Sequence, residues 1–139
     1  MPQSLRYVPP EHVLAVWGSV APLLIQSVIE GGTHRLDDVL TEFEDGKAKL
    51  LIAQEDTPEK PIIAAWAIRF VEYPLTKDCV VWLSGSVNSA NVEWQRLQSA
   101  IEEWAKANGC ERAMVYGRDG WERKLSGFLR IGSILRKVL

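Results

Sequence analysis

Apolar positions recur every three or four residues from Val13 to Val28, so that Val13, Trp17, Val20, Ala21, Leu24 and Val28 fall on one side of a helix. Ahead of them Ser4–Val8 reads as a short strand closed by Pro9-Pro10. Proline suits a helix start because its missing N–H would have no partner there. Pro22 predicts a break: one helix ends, Ser19 caps a second with Pro22 in its first turn, and Gly31-Gly32 stops it. Thr33 then caps a third, short helix with Leu36, Val39, Leu40 and Phe43 inward and Gly46 as its stop.

The period then changes. Ala48–Gln54 is a short apolar run, EDTPEK a turn, and Ile62–Glu72 a longer run too rich in β-formers for a helix. Tyr73-Pro74 breaks it, and Cys79–Leu83 (CVVWL) makes another strand. From Asn91 to Asn108 the helical stripe returns as Trp94, Leu97, Ile101, Trp104 and Ala105, with Gly109 past its end. Arg112–Tyr116 predicts a strand, Trp121–Ser126 a short helix and Ser133–Val138 a closing strand. The fold class is α/β (α+β), in a single domain spanning 1–139.

Composition narrows this little. An apolar fraction of 47% and a charged fraction of 24% exclude a disordered chain. No apolar run approaches the ~20 residues a membrane crossing needs, and MPQSLRYVPPEH lacks the basic and apolar regions of a signal peptide. Cys79 and Cys110 belong to no CxxC or Cys/His cluster and read as buried free thiols. Charge is uneven: residues 117–139 carry six Lys/Arg against two acids, which leaves the first 116 residues at −6 within a net −2. A basic end suits an anionic partner or a solvated strand edge. Overall acidity argues against nucleic acid.

The junction WLSGSVNSANVEW, residues 82–94, runs from a strand through a small polar loop into the best helix of the chain. Free N–H groups and the positive helix end make it a candidate phosphate cradle, with Gly85 permitting close approach and Ser84, Ser86, Asn88 and Ser89 as added donors. A plain connection with Asn88 or Ser89 as a cap fits equally. Glu72 and Asp78 flank the Tyr73-Pro74 break and are candidate bases for an amine. His12 and His34 have no second ligand at metal-binding spacing, so no metal is expected. Trp121, beside a glycine in the basic stretch VYGRDGWERKLSGF, is a candidate binding surface.

This order of elements, with IEEWAKANGC (101–110), VYGRDGW (115–121) and SGFLRIGSILRKVL (126–139), resembles the GNAT superfamily of N-acetyltransferases, and especially its small divergent members from tailed bacteriophages. The resemblance implies a central, mostly antiparallel sheet flanked by helices. It further implies acetyl-CoA entering between the fourth and fifth strands, with its pyrophosphate on Ser84–Asn91 and a main-chain amide near Leu83–Gly85 on the thioester carbonyl. Leu83, Ser84, Gly85, Ser86, Asn88, Ser89 and Asn91 are then the cofactor set, Arg118 or Arg123 meets the 3′-phosphate, and Glu72 or Asp78 takes a proton from a small-molecule or protein amine. SGSVNSAN departs from the family's [QR]xxGx[GA] loop, and Arg123 stands where many members carry a tyrosine. The alternative is a catalytically inactive module, a virion component or a binder of phage or host protein, contacting its partner through Arg118, Trp121 and Lys124. The implied location is the host cytoplasm or the virion, away from membranes.

Overall fold

The strand runs of this sequence are apolar without strict alternation, because the sheet they form is covered on both faces. In the computed structural model, which describes residues 2–87, 91–116 and 125–139, the strands are β1 (Gln3–Val8), β2 (Lys49–Glu55), β3 (Ile62–Glu72), β4 (Lys77–Ser86) and β5 (Arg112–Val115), in the spatial order β1-β2-β3-β4-β5. The first four pair antiparallel and β5 joins β4 in parallel. A parallel neighbour requires a crossover. Helix α3 (Trp94–Ala107) supplies it.

Alternate residues of the central strands feed two cores. Leu50, Ile52, Ala65, Ala67 and Leu83 pack under α1 (Val13–Gly31) and α2 (Leu36–Glu44). Leu51, Ala53, Ala64, Trp66 and Ile68 pack on the opposite face with Leu97 and Ala105 of α3. This is the mixed α+β architecture expected, with corrections in the detail.

Helix α1 is continuous through Pro22, so the predicted break and the Ser19 cap do not occur. Proline inside a helix removes one backbone bond and costs ~3 kcal/mol or more. Burying Val13, Val20, Leu24 and Val28, each at most 5% exposed, offsets it. Pro10–Gly31 is 22 residues long and holds an 18-residue stretch of mean hydropathy 1.6, long and apolar enough to cross a membrane by length and composition, which corrects the expectation of no such run. In this structure that stripe lies on the sheet.

The cap of α2 is Arg35 rather than Thr33: the Arg35 N–H donates to Asp38 Oδ2 at 2.8 Å. Strand β4 is longer than expected and α3 starts later, at Trp94. Residues 121–124 of the predicted short helix lie outside the described residues, and Ser126 is in a turn held to α3 by Gln98, which donates to its carbonyl at 2.7 Å and accepts from its N–H at 3.1 Å. Ser133–Val138 forms no strand. Its apolar residues Ile134, Leu135 and Val138 are 75–92% exposed, so β-propensity without a packing partner leaves that segment irregular.

Candidate functional site

An irregularity in β4 organises this region. The β3–β4 register runs Ala67↔Leu83 and then Ile68↔Val81, leaving Trp82 as an extra residue. A bulge of this kind turns two consecutive side chains to one face. Trp82 and Leu83 accordingly both belong to the α1/α2 core, whereas Cys79 and Val81 point toward α3. The β4–β5 ladder ends just before the bulge, at Val81↔Val115. From Trp82 to Ser86 the β5-side edge of β4 has no strand partner among the described residues.

Helix α1 approaches this edge closely. The Ser84 N–H donates to Ser27 Oγ at 3.3 Å, just beyond the usual range. Gly85 backs onto the Leu23 carbonyl. Its missing side chain therefore makes room for α1 rather than for a ligand. Leu83 is 4% exposed and its side chain belongs to the core, so only its main chain faces this edge. Ser86 ends the strand, and the Val87 N–H still donates to the Ile63 carbonyl at 2.9 Å.

Gln3 fixes the far side of the loop. This buried residue donates from Nε2 to the Asn91 carbonyl and accepts from the Glu93 N–H at 2.9 Å, tying β1 to the start of α3. A groove of about 530 Å³ opens there, lined by Pro2, Gln3, Glu55, Asn91, Glu93 and Arg96. Two carboxylates against one guanidinium make it an unfavourable phosphate site. Asn88, Ser89, Arg118, Trp121, Arg123 and Lys124 lie outside the described residues.

The two candidate bases sit elsewhere. Glu72 ends β3, with its side chain 77% exposed and Lys77 Nζ 4.0 Å away. Asp78 is buried at the start of β4 and accepts from Arg112 Nε and Nη2, both at 2.8 Å. The Arg112 hydrogen bonds hold its carboxyl below the usual carboxylate range, which disfavours proton uptake. Asp78 precedes Ser84 by six residues, about 20 Å of strand. Neither carboxylate reaches the open edge.

The sequence reading missed a cluster on the α1/α2 face. His34 Nε2 lies 2.6 Å from Glu42 Oε2 and its Nδ1 lies 2.8 Å from Thr33 Oγ1. Arg69 Nη2 donates to both oxygens of Glu42, at 2.9 and 3.1 Å. The Arg69 guanidinium sits 3.5 Å over the Trp82 ring, and the His34 ring meets Trp82 edge-on at 4.8 Å. The loop between α1 and α2 and strand β3 meet at the bulge residue, and Glu42 of α2 joins their two side chains. The only local signal was a lone histidine after Gly31-Gly32, eight residues ahead of a glutamate on the inner side of a short helix.

No protein-family model and no curated protein matches the sequence. Solved structures do. A GNAT family acetyltransferase of Staphylococcus aureus matches over 100% of both chains at 13% identity and a TM-score of 0.69. A predicted acetyltransferase of Clostridium acetobutylicum, solved with acetyl-CoA, covers 99% of this chain and 96% of its own at 13% identity and 0.65. An aminoglycoside acetyltransferase from an uncultured soil sample, in complex with sisomicin, covers 99% and 97% at 9% identity and 0.69. At these identities the likeness carries the fold, and the fold is that of the GNAT acetyltransferases.

Proposed function

We propose that this protein binds acetyl-CoA along the open edge of β4 and transfers its acetyl group to an amine. The observation that carries the reading is the coincidence of the Trp82 bulge with the end of the β4–β5 ladder at Val81↔Val115. That arrangement leaves Trp82–Ser86 without a strand partner on the β5 side among the described residues. The fold is shared with acetyltransferases, one of them solved with acetyl-CoA. When bound, the cofactor supplies a thioester whose carbonyl carbon the amine attacks.

In this reading the Ser84 N–H polarises the thioester oxygen, taking it in place of the Ser27 hydroxyl. Ser86, Asn88, Ser89 and Asn91 hold the pyrophosphate through the loop into α3, and Arg118 or Arg123 meets the 3′-phosphate. Leu83 and Gly85 shape the edge from within, as core residue and close-packing glycine. Glu72 and Asp78 have no part in the chemistry. The acceptor is an amine, a reading supported by the neighbour described as an aminoglycoside acetyltransferase. Action in the cytoplasm belongs to the same proposal. Titration calorimetry tests it: saturable heat with acetyl-CoA is expected, and none at millimolar cofactor overturns it.

A second reading rests on the exposed apolar side chains of Leu129, Ile131, Ile134, Leu135 and Val138. A non-catalytic scaffold carrying them binds another protein, of a phage, a host or a virion, with Arg118, Trp121 and Lys124 at the contact. Substituting Arg118 and Trp121 together then abolishes capture of that partner without unfolding the domain. Undiminished capture by the double variant sinks this reading.

A further inference from the structure

The cluster above the bulge holds an imidazole by both of its nitrogens. The Glu42 carboxylate only accepts hydrogen bonds, so the His34 nitrogen 2.6 Å from it, Nε2, carries the proton. In the neutral ring Nδ1 is then the lone pair, and it faces the Thr33 hydroxyl at 2.8 Å. Thr33 is exposed and the His34 side chain is 25% exposed, so the hydroxyl is the solvent-facing end of the chain Thr33–His34–Glu42. Arg69 fixes Glu42 from the other side and rests on Trp82, the residue at which β4 leaves its ladder with β5.

Anchoring α2 to the sheet accounts for part of this arrangement. The Arg69–Glu42 pair does that alone. It does not account for a histidine whose second nitrogen is spent on its own chain neighbour. Among the described residues, the charged groups facing the imidazole are Glu42 from α2 and, across that carboxylate, Arg69 from β3, while β4 offers the uncharged Trp82 ring.

We propose that His34, positioned by Glu42, is the proton acceptor for the incoming amine, with Thr33 passing the proton. This rests on the acetyl-transfer reading above. As the amine nitrogen bonds to the acetyl carbon, its proton moves to Thr33 Oγ1 while the Thr33 proton moves to His34 Nδ1. The carbon–sulfur bond breaks and the sulfur leaves with the electron pair. The imidazolium that results faces the Glu42 carboxylate, and its proton later returns to the sulfur or to water.

Two measurements on the full chain test this. The first needs no cofactor: nitrogen NMR of histidine-labelled protein shows His34 with a protonated Nε2 and a bare Nδ1, and Glu42→Gln blurs that preference. An Nδ1-protonated ring overturns the proposal. The second measures thiol release from acetyl-CoA with sisomicin and an alanine-initiated peptide as probe amines. His34→Ala lowers kcat about 100- to 1,000-fold, leaves the calorimetric affinity for acetyl-CoA unchanged, abolishes the acidic limb of the pH profile and recovers rate with added imidazole. Thr33→Val, a near-isosteric change on the surface, lowers kcat while leaving the melting temperature unchanged. If His34→Ala keeps the rate and pH profile of an active wild type, this assignment falls and acetyl transfer stands. Failure of the wild type to bind acetyl-CoA, or to release thiol with either amine, overturns this assignment; absent binding removes the acetyl-transfer reading as well.

Discussion

Gly85 of β4 lies so close to Leu23 of α1 that a Cβ placed on it would fall 1.6 Å from the Leu23 carbonyl oxygen. A helix backbone meets a strand backbone here, with no flexible side chain to yield. Gly85→Ala therefore forces α1 off the β4 edge, at a cost of about 1–3 kcal/mol or more. Gly18, on the exposed side of the same helix, has nothing within 4 Å of its would-be Cβ. Gly18→Ala gains roughly 0.5–1 kcal/mol from reduced backbone freedom in the unfolded chain. Urea midpoints should move in opposite directions for the two variants. A neutral Gly85→Ala would mean that α1 does not pack there.

The contrast between these glycines shows what was legible in the sequence. The helix stripe of Trp94, Leu97, Ile101, Trp104 and Ala105 and the apolar runs of β2 and β3 are local patterns, and each marked its element. The unbroken α1 was not legible, because tertiary burial of Val20 and Leu24 outweighs the local penalty of Pro22. Glu72 and Asp78 do flank the Tyr73-Pro74 break, at the turn end of the β3–β4 hairpin, but their register turns them to opposite faces of the sheet. They are at the end where β4 pairs with β5, and only that ladder reveals which stretch of β4 lacks a strand partner among the described residues. His34, Glu42, Arg69 and Trp82 meet through pairings up to 48 residues apart in the sequence. No spacing rule reaches that far.

Asp78 and Arg112 should register in the pH dependence of stability. Hydrogen bonds from Arg112 depress the Asp78 pKa, and the same contact raises that of Arg112. The folded state therefore binds fewer protons at Asp78 than the unfolded chain. The stabilisation is complete above the unfolded value of about 4 and is lost as pH falls through the lower, folded value. Asp78→Asn should lower the urea midpoint at pH 7, and its deficit should shrink on acidification below about pH 4. A deficit independent of pH would show that packing, not charge, carries the effect.

Cys79 and Cys110 should be silent toward thiol reagents in the native protein. Both are buried and free, and burial pushes the Cys79 thiol up to about 12 and raises that of Cys110. The thiolate is the reacting form, and at pH 8 it makes up about one part in ten thousand of Cys79. A disulfide-exchange chromophore should label neither site until denaturant is added, and then both. Fast labelling of Cys79 without denaturant would show that the α3 face of the sheet opens readily.

The Ser27 hydroxyl provides the sharpest test of the proposed cofactor edge, because it occupies the donor that the proposed acetyl transfer uses. The Ser84 N–H is held by Ser27 Oγ across a long 3.3 Å bond. A thioester oxygen reaching that amide must displace the hydroxyl, so part of its binding energy goes to breaking an existing contact. Ser27→Ala removes the competitor. The free protein should lose about 0.5–1.5 kcal/mol of stability, the worth of an ordinary hydrogen bond. The acetyl-CoA complex should keep that energy, so the variant binds up to about fivefold tighter for each ~1 kcal/mol released. Calorimetry on both proteins decides it, with desacetyl-CoA as the control that lacks the acetyl oxygen and should show no gain. Equal affinities for acetyl-CoA in wild type and variant would place the thioester away from Ser84.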